Sequence, residues 1–70
     1  MLRKISGKDC VKILCNKFGF RIARTRGSHV TLKKGSGGTV VPLHPELKVG
    51  TLKSVLELAG ISDDEFEKYQ

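Results

Sequence analysis

Apolar and polar residues repeat with two different periods along this chain, and the change of period divides it into elements. Val11, Leu14, Cys15 and Phe18 recur at i, i+3, i+4 and i+7, which draws one apolar stripe on a helix from Gly7 to Phe18. Ser6 precedes it as a side-chain cap, Asp9 takes the position of a capping-box acid, and Gly19 follows as its stop. A period of two then takes over. Phe20 and Ile22 share one face of a first strand over Phe20–Arg24, with Arg21 and Ala23 on the other, and Thr25-Arg26-Gly27 reads as a turn. In the strand that follows, Val30 and Leu32 point one way while His29, Thr31 and Lys33 point the other. Gly35-Ser36-Gly37-Gly38 makes a second turn, and Thr39–Leu43 a third strand with Val41 and Leu43 facing inward. Pro42 lacks the N–H that a ladder needs, so it marks a sheet edge or a strand end. The helical period returns at Leu52, Val55, Leu56 and Ala59, in a helix over Val49–Ala59 closed by Gly60. Ser62-Asp63-Asp64-Glu65 is a capping box for a short last helix that folds Phe66 and Tyr69 back.

The order is α-β-β-β-α with a short C-terminal helix. It implies an α+β domain spanning residues 1–70, with a three-stranded antiparallel meander and both main helices on one sheet face. The other face is left open to solvent. Seventy residues without tryptophan support a small aliphatic core but no deep pocket for a large cofactor. No apolar run reaches membrane-spanning length, and the polar N-terminus lacks the apolar segment of a signal peptide, so a cytoplasmic protein without a membrane partner is expected.

Charge sharpens this picture. Residues 1–45 carry ten Lys and Arg against Asp9 alone, while residues 46–70 carry three against six acids, or about +9 and −3 within a net charge of +6. A basic region so lopsided favours a polyanion, nucleic acid before membrane.

Candidate chemistry centres on His29. Standing on the open face among Lys33 and nearby arginines, its imidazole suits proton transfer on an anionic substrate. Breaking a phosphodiester without a metal requires activation of the nucleophile, protonation of the leaving oxygen and stabilisation of the phosphorane. Histidine supplies either proton transfer; Arg24, Arg26 and Lys33 are the candidates for the phosphate. His44 is the secondary candidate, as a second proton carrier or, preferably, as a loop-orienting residue. Ser28 and Thr31 have no triad partners. Cys10 and Cys15 diverge by about 140° around a helix and cannot readily pair. No second Cys/His pair completes a metal site, so no metal and no cofactor is expected. Asp63-Asp64-Glu65 is explained by the electrostatics of a helix start.

A wider set of residues carries a resemblance. It comprises Ser6-Gly7-Lys8, Phe18-Gly19-Phe20, Gly27-Ser28-His29, Val41-Pro42-Leu43-His44, Glu46-Leu47-Lys48, Gly50-Thr51-Leu52-Lys53-Ser54-Val55-Leu56 and Ala59-Gly60-Ile61-Ser62. In this order and spacing the chain resembles the HicA (YcfA-like) family of toxin mRNA interferases. The resemblance implies a double-stranded-RNA-binding-domain-like fold, a catalytic histidine at His29, mRNA as substrate and a HicB-like protein antitoxin as partner. Two positions depart from the family pattern. Val30 stands where many members carry a second histidine, and Val49 where many carry proline. The first excludes catalysis by a histidine pair on this strand, and the second removes only a favoured residue of the helix start.

The expectation is therefore a metal-independent endoribonuclease, the toxin of a toxin–antitoxin pair. Its alternative is a non-catalytic RNA-binding module of the same fold. A third reading, a subunit whose basic face docks only an acidic protein, predicts no salt-sensitive RNA binding.

Overall fold

Ser6 opens the first helix as the pattern requires. A computed structural model describes residues 1–70, and in it α1 runs over Gly7–Phe18 with the Ser6 hydroxyl accepting from the Asp9 N–H at 3.0 Å. The strands β1 (Arg21–Arg26), β2 (His29–Lys34) and β3 (Gly37–Pro42) follow, then α2 (Val49–Ala59) and α3 (Asp63–Glu67). The sheet is an antiparallel meander in the order β1-β2-β3, so the expected α-β-β-β-α architecture is the one present.

Both hairpins close on the same dipeptide. Arg26 pairs with His29 across Gly27-Ser28, and Lys34 pairs with Gly37 across Gly35-Ser36. Gly27 and Gly35 take φ of 58° and 57°. A tight turn between right-twisted strands needs a positive φ at this first loop position, which glycine adopts without steric cost. These turns are shorter than the sequence suggests. Thr25 and Arg26 lie in β1 rather than in a turn, and Gly37 and Gly38 lie in β3. At Gly38 a Cβ would sit 2.8 Å from the Leu32 carbonyl oxygen.

The core lies between one face of the sheet and the helices. Val30 and Leu32 of β2, Val41 of β3, Cys10 and Leu14 of α1, and Leu52, Val55 and Leu56 of α2 are its centre. The stripe of α1 is rotated from the expected one. Cys10 and Leu14 are fully buried, while Val11, Cys15 and Phe18 are only partly so. The rotation follows from Gly7, which has no side chain and lets α1 rest directly on β3. A Cβ there would fall 2.0 Å from the Pro42 carbonyl oxygen and 2.8 Å from the Leu43 Cα. The Gly7 N–H also donates to the His44 carbonyl at 2.9 Å. On α2 the link to the sheet is the buried Thr39 hydroxyl, which donates to the Val55 carbonyl at 2.8 Å.

Two apolar residues of inward parity are outside the core, Leu43 among them although its alternation with Val41 predicts burial. Ile22 is 55% exposed and Leu43 is 38% exposed. Both helices pack on β3 rather than reaching over β1, so the inward face of β1 is uncovered. The third strand ends at Pro42, before Leu43. Phe20, by contrast, is buried just ahead of β1.

The termini are tied together. Phe66 is fully buried and stacks on Phe18 at 6.3 Å, with Tyr69 edge-on to the same ring at 5.4 Å. The capping box at Ser62 and Glu65 is complete. The basic lead before α1 is also ordered: Leu2 is buried, Ile5 bridges to Leu47, and the Gln70 side-chain amide both accepts from and donates to the backbone of Arg3.

Candidate functional site

The site is built on the sheet face away from the helices. In an antiparallel pair, residues directly opposite project from the same face. The register therefore groups the open-face residues into three rungs: Arg26, His29 and Pro42; Arg24, Thr31 and Val40; and Arg21, Lys33 and Gly38. His29 sits in the rung beside the Gly27-Ser28 turn. Cross-strand neighbours of this kind have Cβ atoms about 5 Å apart, so Arg26 and Pro42 flank the imidazole on its two sides. Arg24 is its diagonal neighbour.

The three arginines of β1 share this face by virtue of one irregularity. The pairing of β1 with β2 shifts between Ile22 and Arg24, leaving Ala23 as a β-bulge. Strict alternation puts Arg21 with Ala23 and Thr25, on the face opposite Arg24 and Arg26. The extra residue reverses the parity, and Arg21 joins them. Bulges characteristically re-aim side chains in this way. Sequence reasoning left Arg21 out because it kept only the cations nearest His29 and ended the first strand at Arg24. A signal was present, since regular alternation forces Ile22 onto the same face as Arg24 and Arg26.

Of the sequence-identified residues, His29, Arg24 and Arg26 come together, while Lys33 lies two rungs away from His29, opposite Arg21. The stem of Lys33 leans over Gly38, where its Cδ would be 3.4 Å from an added Cβ. His44 follows the end of β3, outside the ladder. Its backbone carbonyl, rather than its imidazole, makes the structural bond, to the Gly7 N–H. Its side chain is exposed.

The electrostatics of this face are those of unneutralised cations. The ion pairs of the chain join the N-terminal amine to Glu67, Lys4 to Glu46 and Lys53 to Asp63. None involves Arg21, Arg24, Arg26, Lys33 or His29. No carboxylate orients the imidazole, so a Ser-His-Asp type of relay is not built here. The cysteines supply no nucleophile at neutral pH. Burial pushes the Cys10 thiol up to about 12 and raises Cys15 as well. No three His, Cys, Asp or Glu side chains converge to form a metal cage.

No pocket opens on this face, which suits a polymer better than a small molecule enclosed in a cleft. The concave pocket of the molecule, of about 440 Å³, lies on the helix side between Arg3, Lys12, Ile13 and Tyr69, and no residue of the His29 face lines it. No helix is long and apolar enough to cross a membrane.

The model of a family described as the HicA toxin of bacterial toxin–antitoxin systems matches residues 7–61. That span begins at the helix resting on β3, includes all three rungs and ends just past α2. No curated protein and no solved structure matches the chain.

Proposed function

Since the chain belongs to the HicA toxin family and is the toxin of a toxin–antitoxin pair, we propose that it is an endoribonuclease acting on mRNA without a metal, with His29 as the proton-transferring residue. The supporting observation is the grouping of His29 with Arg26 and Arg24 on one exposed face where no carboxylate neutralises them. In this reading a 2′-OH attacks the adjacent phosphorus, the P–O5′ bond breaks, and the products carry a 2′,3′-cyclic phosphate and a 5′-OH. His29 takes the 2′ proton or delivers one to the leaving oxygen. Arg26, in the rung of His29, holds the non-bridging oxygens as negative charge builds on the phosphorane, and Arg24 and Lys33 hold phosphates further along the strand. His44 ties its loop to the start of α1 through its backbone carbonyl alone, and its imidazole has no part in this reading.

The partner that silences such a face is a HicB-like antitoxin. The un-neutralised Arg21, Arg24, Arg26 and Lys33 of the open face, in a segment of +9 formal charge over residues 1–45, favour an acidic counterpart, which speeds encounter and excludes RNA by occupying the same cations.

The test is cleavage of single-stranded RNA in EDTA by wild type and His29→Ala, with analysis of end groups. The variant is expected to lose activity by about a hundred- to ten-thousand-fold, the usual worth of a positioned acid or base. Its RNA affinity and stability should change little, because His29 is exposed. If neither protein cleaves while both bind RNA, the chain is a binding module and the catalytic reading is wrong.

A further inference from the structure

The bulge at Ala23 has a consequence for how a substrate lies on the protein. Resting on the ribonuclease reading above for the position of the scissile bond, we infer that the open face is a track for single-stranded RNA, with Arg21 as its distal phosphate clamp. Consecutive phosphates would occupy the three rungs in turn, from Arg26 beside His29, through Arg24, to Arg21 with Lys33.

Three observations carry this. First, successive rungs are two residues apart along β2, roughly 7 Å at the rise of an antiparallel strand, which is comparable with the step of an extended sugar–phosphate backbone. The cations form one line along β1, the edge strand, whose six residues are all exposed. A duplex presents two phosphate rows separated by a groove; this face offers a single row. Second, one side of the row is cationic and the other is not. Across β2 from the arginines stand Pro42, Val40 and Gly38, an uncharged shelf on which bases can rest while the backbone follows β1. Third, the row depends on an irregularity with no role in the core. Ala23 and its neighbours are exposed, yet without the bulge Arg21 would point to the opposite face. The bulge lengthens the row by a rung opposite Lys33.

No aromatic side chain stands in these rungs, so base stacking contributes little and the guanidinium groups carry the binding. The track is thus expected to be strongly salt-dependent and weakly selective for sequence.

The decisive measurement is affinity for a 2′-O-methylated single-stranded oligonucleotide, which cannot be cleaved, as a function of salt. Arg21→Ala is compared with Lys12→Ala, which removes the same charge from α1 on the helix side. Losing one phosphate contact should flatten the slope of log K against log salt by about 0.7 for Arg21→Ala, with Lys12→Ala like wild type and Arg21→Lys largely restored. With cleavable RNA, Arg21→Ala should raise KM roughly tenfold, the worth of one charged hydrogen bond, and leave kcat unchanged. A dinucleotide substrate, which ends before the third rung, should show no change in KM. Equal flattening by Arg21→Ala and Lys12→Ala would mean that binding follows net charge, and would overturn the track. So would an unchanged slope in Arg21→Ala. Because the binding arm needs no cleavage, an inactive wild type that still shows the Arg21-specific slope would refute the ribonuclease reading and leave the track standing.

Discussion

The two edge strands of this sheet are built for different ends. β3 carries Thr39 and Val41 into the core, receives α1 through the bare Gly7 and is bonded to α2 through the Thr39 hydroxyl. β1 buries none of its six residues and bears three arginines. Only β2 belongs to both worlds, with Val30 and Leu32 inward and His29 and Lys33 outward. A protein of this size has few residues to spare for its core, and here two strands supply the sheet's share. The third is thereby free to hold a charge pattern that a packed strand could not tolerate, since a charge without a partner is costly to bury. The bulge illustrates this freedom. In β3 an extra residue would turn Val41 or Thr39 out of the core; in β1 it changes only which side chains meet the substrate.

The sharpest way to break this division is to substitute where α1 meets β3. Gly7→Ala places a methyl group against the Pro42 backbone, which no side-chain rearrangement can relieve. It should destabilise the protein by about 3 kcal/mol, at the upper end of overpacking costs, read as a large fall in Tm. Because Pro42 is the ladder partner of His29, cleavage should also fall in whatever fraction remains folded. The next contrast sets one aliphatic truncation on each side. Val41→Ala removes two buried methyl groups and should cost about 2 kcal/mol once the cavity is included. Ile22→Ala on β1 should stay within about 0.5 kcal/mol, as exposed positions do. Equal losses by denaturant unfolding would show that β1 shares the core after all.

The smallest effect lies away from both strands, at the start of α3. The Ser62 backbone and hydroxyl bonds to Glu65 lower its pKa from 4.5. A carboxylate with a depressed folded pKa contributes stability that is fully present above its unfolded value and is lost as pH falls through the folded one. Thermal melts below pH 4.5 should therefore show a slightly steeper acid decline for wild type than for Glu65→Gln, whose side chain does not titrate. Identical declines would mean that the capping carboxylate contributes nothing to folding.

Much of this was legible in the sequence because it depends on neighbours along the chain. Helix periodicity, the Ser6 and Ser62 caps and the glycines of the turns are local devices, and they specified the element order, though not the extent of the hairpin loops. The alternation around His29 was enough to place Val30 and Leu32 inward and the imidazole outward. What local pattern could not supply was which apolar faces find a partner. Ile22 and Leu43 have the right parity for burial, yet the helices settle on β3, α1 through the bare Gly7 and α2 through the Thr39 hydroxyl. Likewise Arg24 and Arg26 are near His29 in any regular strand. Arg21 joins them only because pairing with β2 skips Ala23, and that skip belongs to the fit between two strands. The sequence by itself determined the elements, their order and the cationic surplus. The tertiary structure alone decided which strand was left uncovered and which cations stand in line, because register and burial depend on how whole surfaces meet.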